Sequence, residues 1–169
     1  MRIFSGEGEL AQALTALCAP PGCEAPLVLV QDFVPNNLEM RVYLVRGEIA
    51  HTVYSDFDVD NWYERQRDGG FTKGPESFSM CGRAEAVAQW LEADEACMQH
   101  AEEQARALVA TWLLWLRAVA TDTPPTIRVD LLVTRTASGR AEIHTLELTE
   151  AGFSLLGWRG GPPAVMGAL

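Results

Sequence analysis

Lysine is nearly missing from this chain. Lys73 is the one lysine among 13 basic residues, and 23 Asp and Glu residues leave a formal charge of −10. Nucleic-acid footprints are basic patches or stripes, so this balance argues against a phosphate-backbone binder and assigns any phosphate contact mainly to arginine. Zinc spacing is missing too. Cys18, Cys23, Cys81 and Cys97 make no CxxC pair and have no matched histidines. Reduced thiols are the expectation, with a Cys18–Cys23 disulfide as the alternative. Long apolar runs are also lacking: the opening MRIFSGEGEL has no apolar core, and the stretch from Val109 to Val119 is interrupted by Thr111 and Arg117. Neither a signal peptide nor a membrane span is expected, and the expected setting is the cytoplasm.

What is present supports a folded domain, since 169 residues with 48% hydrophobic content suffice for a real core. EGELAQALTALC, residues 7 to 18, repeats Leu10, Ala13, Leu14 and Leu17 at helical spacing, and Pro20-Pro21-Gly22 stops it. Leu27 to Val34 reads as a strand closed by Pro35-Asn36-Asn37. Its internal polar pair, Gln31 and Asp32, fits either an edge strand or a hinge facing a ligand. Residues 58 to 82, with Gly69-Gly70 and Gly74-Pro75, read as a long loop. From Arg83 to Ala120 the chain is strongly helical, with Asp94 as an N-cap dividing a short helix from a long one. Trp90, Leu91, Ala101, Leu108, Trp112, Trp115 and Leu116 are its expected core stripe, while His100 is expected in solvent. Pro124-Pro125 ends it.

The stretch from Ile127 to Glu150 organises the rest. IRVDLLVTR and RAEIHTLELTE read as antiparallel arms about Ser138-Gly139. In the first arm Ile127, Val129, Leu131 and Val133 alternate with Arg128 and Asp130. In the second, Ile143, Thr145, Glu147 and Thr149 share one side and His144, Leu146 and Leu148 the other. With Ser138 and Gly139 as central turn residues, a strict ladder sets Asp130 across from Glu147. Like charges opposed at roughly 5 Å destabilise a sheet unless something positive lies between them. A divalent cation such as Mg²⁺ is one candidate, with Thr149 on the same face; a solvated charged face is the other reading. Glu39 to Arg46 and Glu48 to Phe57 form a second hairpin about Gly47. Met40, Val42, Leu44, His51, Val53 and Phe57 make its expected apolar face, with Glu39, Arg41, Tyr43, Thr52, Tyr54 and Asp56 opposite. The fold expectation is an α+β domain, a mainly antiparallel sheet of about five strands covered on one face by a long helix.

VLVQDFVP, then EMRVYLVRGEI, IRVDLLV, HTLELTEAG and LLGW form an ordered series over residues 27 to 158. The series resembles the C-terminal half of an ATP-grasp domain, and within that superfamily the cell-division-cycle ATP-grasp proteins that assist assembly of a eukaryotic translation initiation factor. On this resemblance, residues 1 to 26 are an N-terminal helix and linker, 27 to 158 an ATP-grasp-like lobe, and 159 to 169 a loose tail. It implies ATP and Mg²⁺ as cofactors, with Asp130, Glu147 and Thr149 around the metal. Arg41 and Arg128 would be the catalytic arginines, Arg41 on phosphate, and Gln31, Asp32 and Phe33 would lie against adenine. The implied chemistry is phosphoryl transfer to a carboxylate followed by ligation. Two departures stand out. Thr149 replaces the expected Asn, and residues 1 to 26 are too short to be the lysine-bearing N-terminal lobe. Either a missing lobe or a protein partner completes the site, or the chain is a non-catalytic interaction module on the same scaffold.

Overall fold

The computed structural model describes residues 6–18, 30–32, 34, 38–57, 78–150, 153–155 and 157–169. Phe33, Lys73, Cys23 and most of the expected 58–82 loop lie outside the described residues. The chain divides into two compact units, Met1–Pro35 and Asn36–Leu169. In the first, helix α1 (Glu7–Cys18) matches the helical spacing of its leucines. Val30, Gln31 and Asp32 are exposed and belong to no regular element, so the expected 27–34 strand is not formed there. An Asp is poorly suited to a strand interior, and Pro35 donates no ladder hydrogen bond.

The second unit is α+β. Its strands are β1 (Leu38–Val45), β2 (Glu48–Phe57), β3 (Phe78–Cys81), β4 (Thr126–Arg135) and β5 (Ala141–Thr149). They form one antiparallel five-stranded sheet in the order β3-β2-β1-β4-β5. Strand β3 replaces the end of the expected loop, because Phe78 to Cys81 pair with Tyr54 to Phe57. Helices α2 (Arg83–Trp90) and α3 (Glu95–Val119) are separated at Asp94, whose carboxylate accepts the Cys97 N–H at 3.0 Å. That cap satisfies an otherwise orphaned donor of the first turn.

One face of the sheet is the core. Leu38, Met40, Val42 and Leu44 of β1 and Ile127, Val129, Leu131 and Val133 of β4 are at most 3% exposed. Helix α3 lays Cys97, Ala101, Ala105 and Val109 over this face, a four-residue spacing that keeps one stripe inward and a small one, so the helix sits close. Each fully buried Leu, Val or Met adds about 1.5–3 kcal/mol. Trp112 Nε1 donates to Thr145 Oγ1 at 3.0 Å, and Trp115 stands edge-on to Trp112 but remains 50% exposed, outside the core expected of it. His100 is half-buried against Gln104 and Arg140, where solvent was expected. The expected loose tail instead contains helix α4 (Gly161–Met166), anchored by buried Val165. Among the described residues no helix is long and apolar enough to cross a membrane.

Two extra residues set which side chains share a face. Arg46 and Gly47, both at positive φ, make the two-residue turn that pairs Val45 with Glu48. Beyond it Ala50 is unpaired, and the register shifts by one, so Tyr43 faces His51 and Arg41 faces Val53. His51, Val53 and Ser55 thus share the face of Tyr43, Arg41 and Glu39, while Thr52 and Tyr54 join the core side, the reverse of the expected phase. In the second hairpin a turn closed by Gly139 at φ 77 pairs Arg135 with Ala141. Leu146 is then the unpaired residue, and past it Asp130 does face Glu147. Ile143 and Thr145 consequently lie across from core residues Val133 and Leu131, whereas Glu147 and Thr149 occupy the opposite face. The expected single side for all four is corrected by that bulge.

Candidate functional site

The second face of the sheet carries charge that is withdrawn from water. Antiparallel register brings three strands into a row, Arg41 of β1 beside Asp130 of β4 beside Glu147 of β5. The next row sets His51, Tyr43, Arg128 and Thr149 side by side. Asp130 is 1% exposed and Arg128 6%. A solvated charged face is corrected in part: the strands alternate as expected, but Glu39, Arg128 and Asp130 are buried while Glu147 stays exposed.

Arg128 is the positive group between the opposed carboxylates. Its Nε donates to Asp130 Oδ1 at 2.7 Å and its Nη2 to Asp130 Oδ2 at 2.6 Å, a bidentate fork. The same Nη2 donates to Glu147 Oε1 at 3.0 Å, and the Thr149 hydroxyl donates to that oxygen at 3.2 Å. Asp130 and Glu147 oxygens therefore converge on one cationic nitrogen. On β1, Arg41 Nη2 lies 3.0 Å from Glu39 Oε2, which also accepts from the Ser55 hydroxyl at 2.6 Å.

Burial dominates the protonation of this cluster. It pushes the Asp130 carboxyl up to about 6; Arg128 pulls it down, while the charge of Glu39 and a hydrogen bond shared with Glu147 add to the rise. Burial pulls the Arg128 guanidinium down, but its hydrogen bonds to Asp130 leave it above its ordinary value. The Asp130 carboxylate is thus costly to ionise even with an arginine forked onto it.

An aromatic group closes one side. Tyr43, fully buried, donates from its hydroxyl to the Ser154 carbonyl at 2.8 Å and packs on Phe153 and Trp158, their ring centroids 5.7 and 5.3 Å away. His51 stacks on Trp158 at 5.4 Å, and the Arg128 guanidinium carbon lies 6.0 Å from the Phe153 ring centroid. The chain between those rings turns at Gly157, φ +82, where a Cβ would come 2.5 Å from Met80 Sδ and 3.3 Å from both Val53 methyls. Gly157→Ala is expected to cost roughly 2 kcal/mol through left-handed backbone strain and displacement of Val53. Thermal melts would show it, together with a change in near-ultraviolet circular dichroism from Trp158.

Of the residues singled out from sequence, Arg41, Arg128, Asp130, Glu147 and Thr149 are brought together. Gln31 and Asp32 belong to the other unit of the chain. Glu39, Ser55, Tyr43 and His51 were not assigned to the site. Glu39 and Arg41 repeat the two-residue spacing of Arg128 and Asp130, which is the signal that could have flagged Glu39. Among the described residues no three His, Cys, Asp or Glu side chains are grouped so as to hold a metal ion. A cavity of roughly 150 Å³ opens on the other face, between β2 and α3, beside Tyr54 and Glu102. There Glu102 is already engaged by Arg83 at 2.7 Å and the Tyr54 hydroxyl at 2.8 Å. No protein family, curated protein or solved structure matches the chain.

Proposed function

We propose that the charged face of the sheet binds a magnesium-bound nucleotide polyphosphate, as one lobe of an ATP-grasp-like ligase site. The convergence of Asp130 and Glu147 on a single cation carries this reading. Buried ion pairs are weak devices for stability, because desolvation offsets much of their attraction. A face holding Glu39, Arg128 and Asp130 below 7% exposure, beside Arg41, is therefore better explained by a ligand than by folding. The donor set suits a hard divalent ion, with carboxylate oxygens from Asp130 and Glu147 and the Thr149 hydroxyl beside them. Bound there, Mg²⁺ would neutralise charge on the phosphates. Arg41 and Arg128 supply planar, permanently charged forks for phosphate oxygens. A lysine-bearing lobe or a partner protein would close the nucleotide cleft and bring the carboxylate acceptor.

A second reading rests on a different surface. Leu114, Trp115 and Val119 near the end of α3 are 65%, 50% and 59% exposed, an apolar patch that suits a non-catalytic interaction module. A thermal-shift titration separates the two. With ATP and Mg²⁺ together at about a hundred times Kd, wild type gains roughly 2.7 kcal/mol, and Glu147→Gln gains little. No shift at millimolar nucleotide, with a stable stoichiometric partner on affinity capture, would favour the module.

A further inference from the structure

Resting on that reading of the face, we propose that Arg128 is a place-holding cation that surrenders Asp130 and Glu147 only to an incoming polyphosphate, so that the site does not take a divalent ion alone. The guanidinium already occupies the position where the two carboxylates converge, 2.6 Å from one and 3.0 Å from the other. A metal entering by itself would have to displace it and leave an arginine, whose side chain is 8% exposed, without its anion. Stranding a buried charge is far costlier than exchanging its partner. A polyphosphate removes that obstacle, because phosphate oxygens accept the same bidentate fork that the Asp130 carboxylate now fills. Two features of the surroundings suit such an exchange. The Glu147 side chain is 54% exposed, so its half of the carboxylate pair is reached by solvent from the β5 side. Phe153 offers its ring 6.0 Å from the guanidinium, a surface against which a displaced arginine can remain. Metal and nucleotide would then enter as one unit, which keeps a bare ion from neutralising the site.

The test measures Mn²⁺ binding to the full chain without nucleotide, by calorimetry or electron paramagnetic resonance, in wild type, Arg128→Gln and Arg128→Gln/Glu147→Gln. Place-holding predicts that Arg128→Gln binds Mn²⁺ at least tenfold more tightly than wild type, and that the double variant loses the gain. Equal affinity within threefold, or a gain that survives Glu147→Gln, overturns it. If wild type binds Mn²⁺ with ADP while Arg128→Gln leaves the nucleotide-free Mn²⁺ affinity unchanged, the nucleotide site stands and place-holding alone fails. Absence of binding by every variant with and without ADP removes both. Should Arg128→Gln not fold, the arginine Nε–H resonance of wild type decides: it is expected to shift with Mg²⁺-ADP and to stay fixed with millimolar Mg²⁺ alone. A shift with Mg²⁺ alone overturns the proposal.

Discussion

Arg128→Leu is expected to lower the stability of the protein by about 3–5 kcal/mol at pH 8, the range for breaking a buried ion pair from one side. In a domain of this size that is a fall in Tm of roughly 10 °C. The cause is Asp130, 1% exposed, whose two carboxylate oxygens both take their hydrogen bonds from Arg128. Without the guanidinium that carboxylate keeps its desolvation cost and loses its partner. Two comparisons make the cause testable. At pH 5 the variant should lose less, because Asp130 can take up a proton and shed its charge. The double variant Arg128→Leu/Asp130→Leu should recover more than half of the loss, since removing both partners strands nothing buried; Glu147 is half-exposed and keeps its water. A double variant no more stable than the single one would place the cost in packing around position 128 and sink the electrostatic account.

The second large effect is a dependence of stability on pH that runs opposite to ordinary acid denaturation. Asp130 is raised to about 6 in the folded protein from an ordinary value of 3.8. A raised carboxyl binds its proton more tightly folded than unfolded, so its stabilising contribution is complete below about pH 4. That contribution is lost as pH rises through about 6. At 1.36 kcal/mol per pKa unit the loss is roughly 3 kcal/mol, most of it between pH 4 and 6, flat above pH 7. Glu102 acts in the other direction. Burial pushes it up, but hydrogen bonds from Arg83 and Tyr54 outweigh that and hold it below its ordinary 4.5. Its stability is present above that value and is lost only as pH falls below it. The two windows therefore separate. Urea denaturation of wild type and Asp130→Asn at pH 5, 6 and 7 should show a falling wild-type stability and a level one for the variant. Parallel curves would mean that Asp130 does not titrate in this range.

Much of this was legible from short-range pattern. Helix α1 and the division of α2 from α3 follow from periodicity and a capping Asp, which are local effects that a sequence displays directly. So do the alternation of Arg128 and Asp130 with core residues and the five-stranded antiparallel sheet under a long helix. The expected opposition of Asp130 and Glu147 is present, although not by the route that suggested it. A Gly139 turn pairs Arg135 with Ala141, and only the extra Leu146 brings Glu147 level with Asp130. The same reasoning without a bulge misplaced His51, Val53 and Tyr54, because Ala50 is an extra residue there. A period of two tells which residues alternate; it does not tell where the phase slips.

What the amino-acid order determined by itself, then, is the set of elements and the types of side chain that alternate along each strand. Tertiary structure decided that Glu39, Arg128 and Asp130 are buried, that Arg128 forks onto Asp130 and also reaches Glu147, and that Tyr43, Phe153 and Trp158 close its side. The physical reason is range. Propensity, capping and amphipathic period act over a few residues, whereas the protonation of Asp130 depends on water being excluded, on the Arg128 fork, and on Glu39 and Glu147, which reach it only once β1, β4 and β5 are paired.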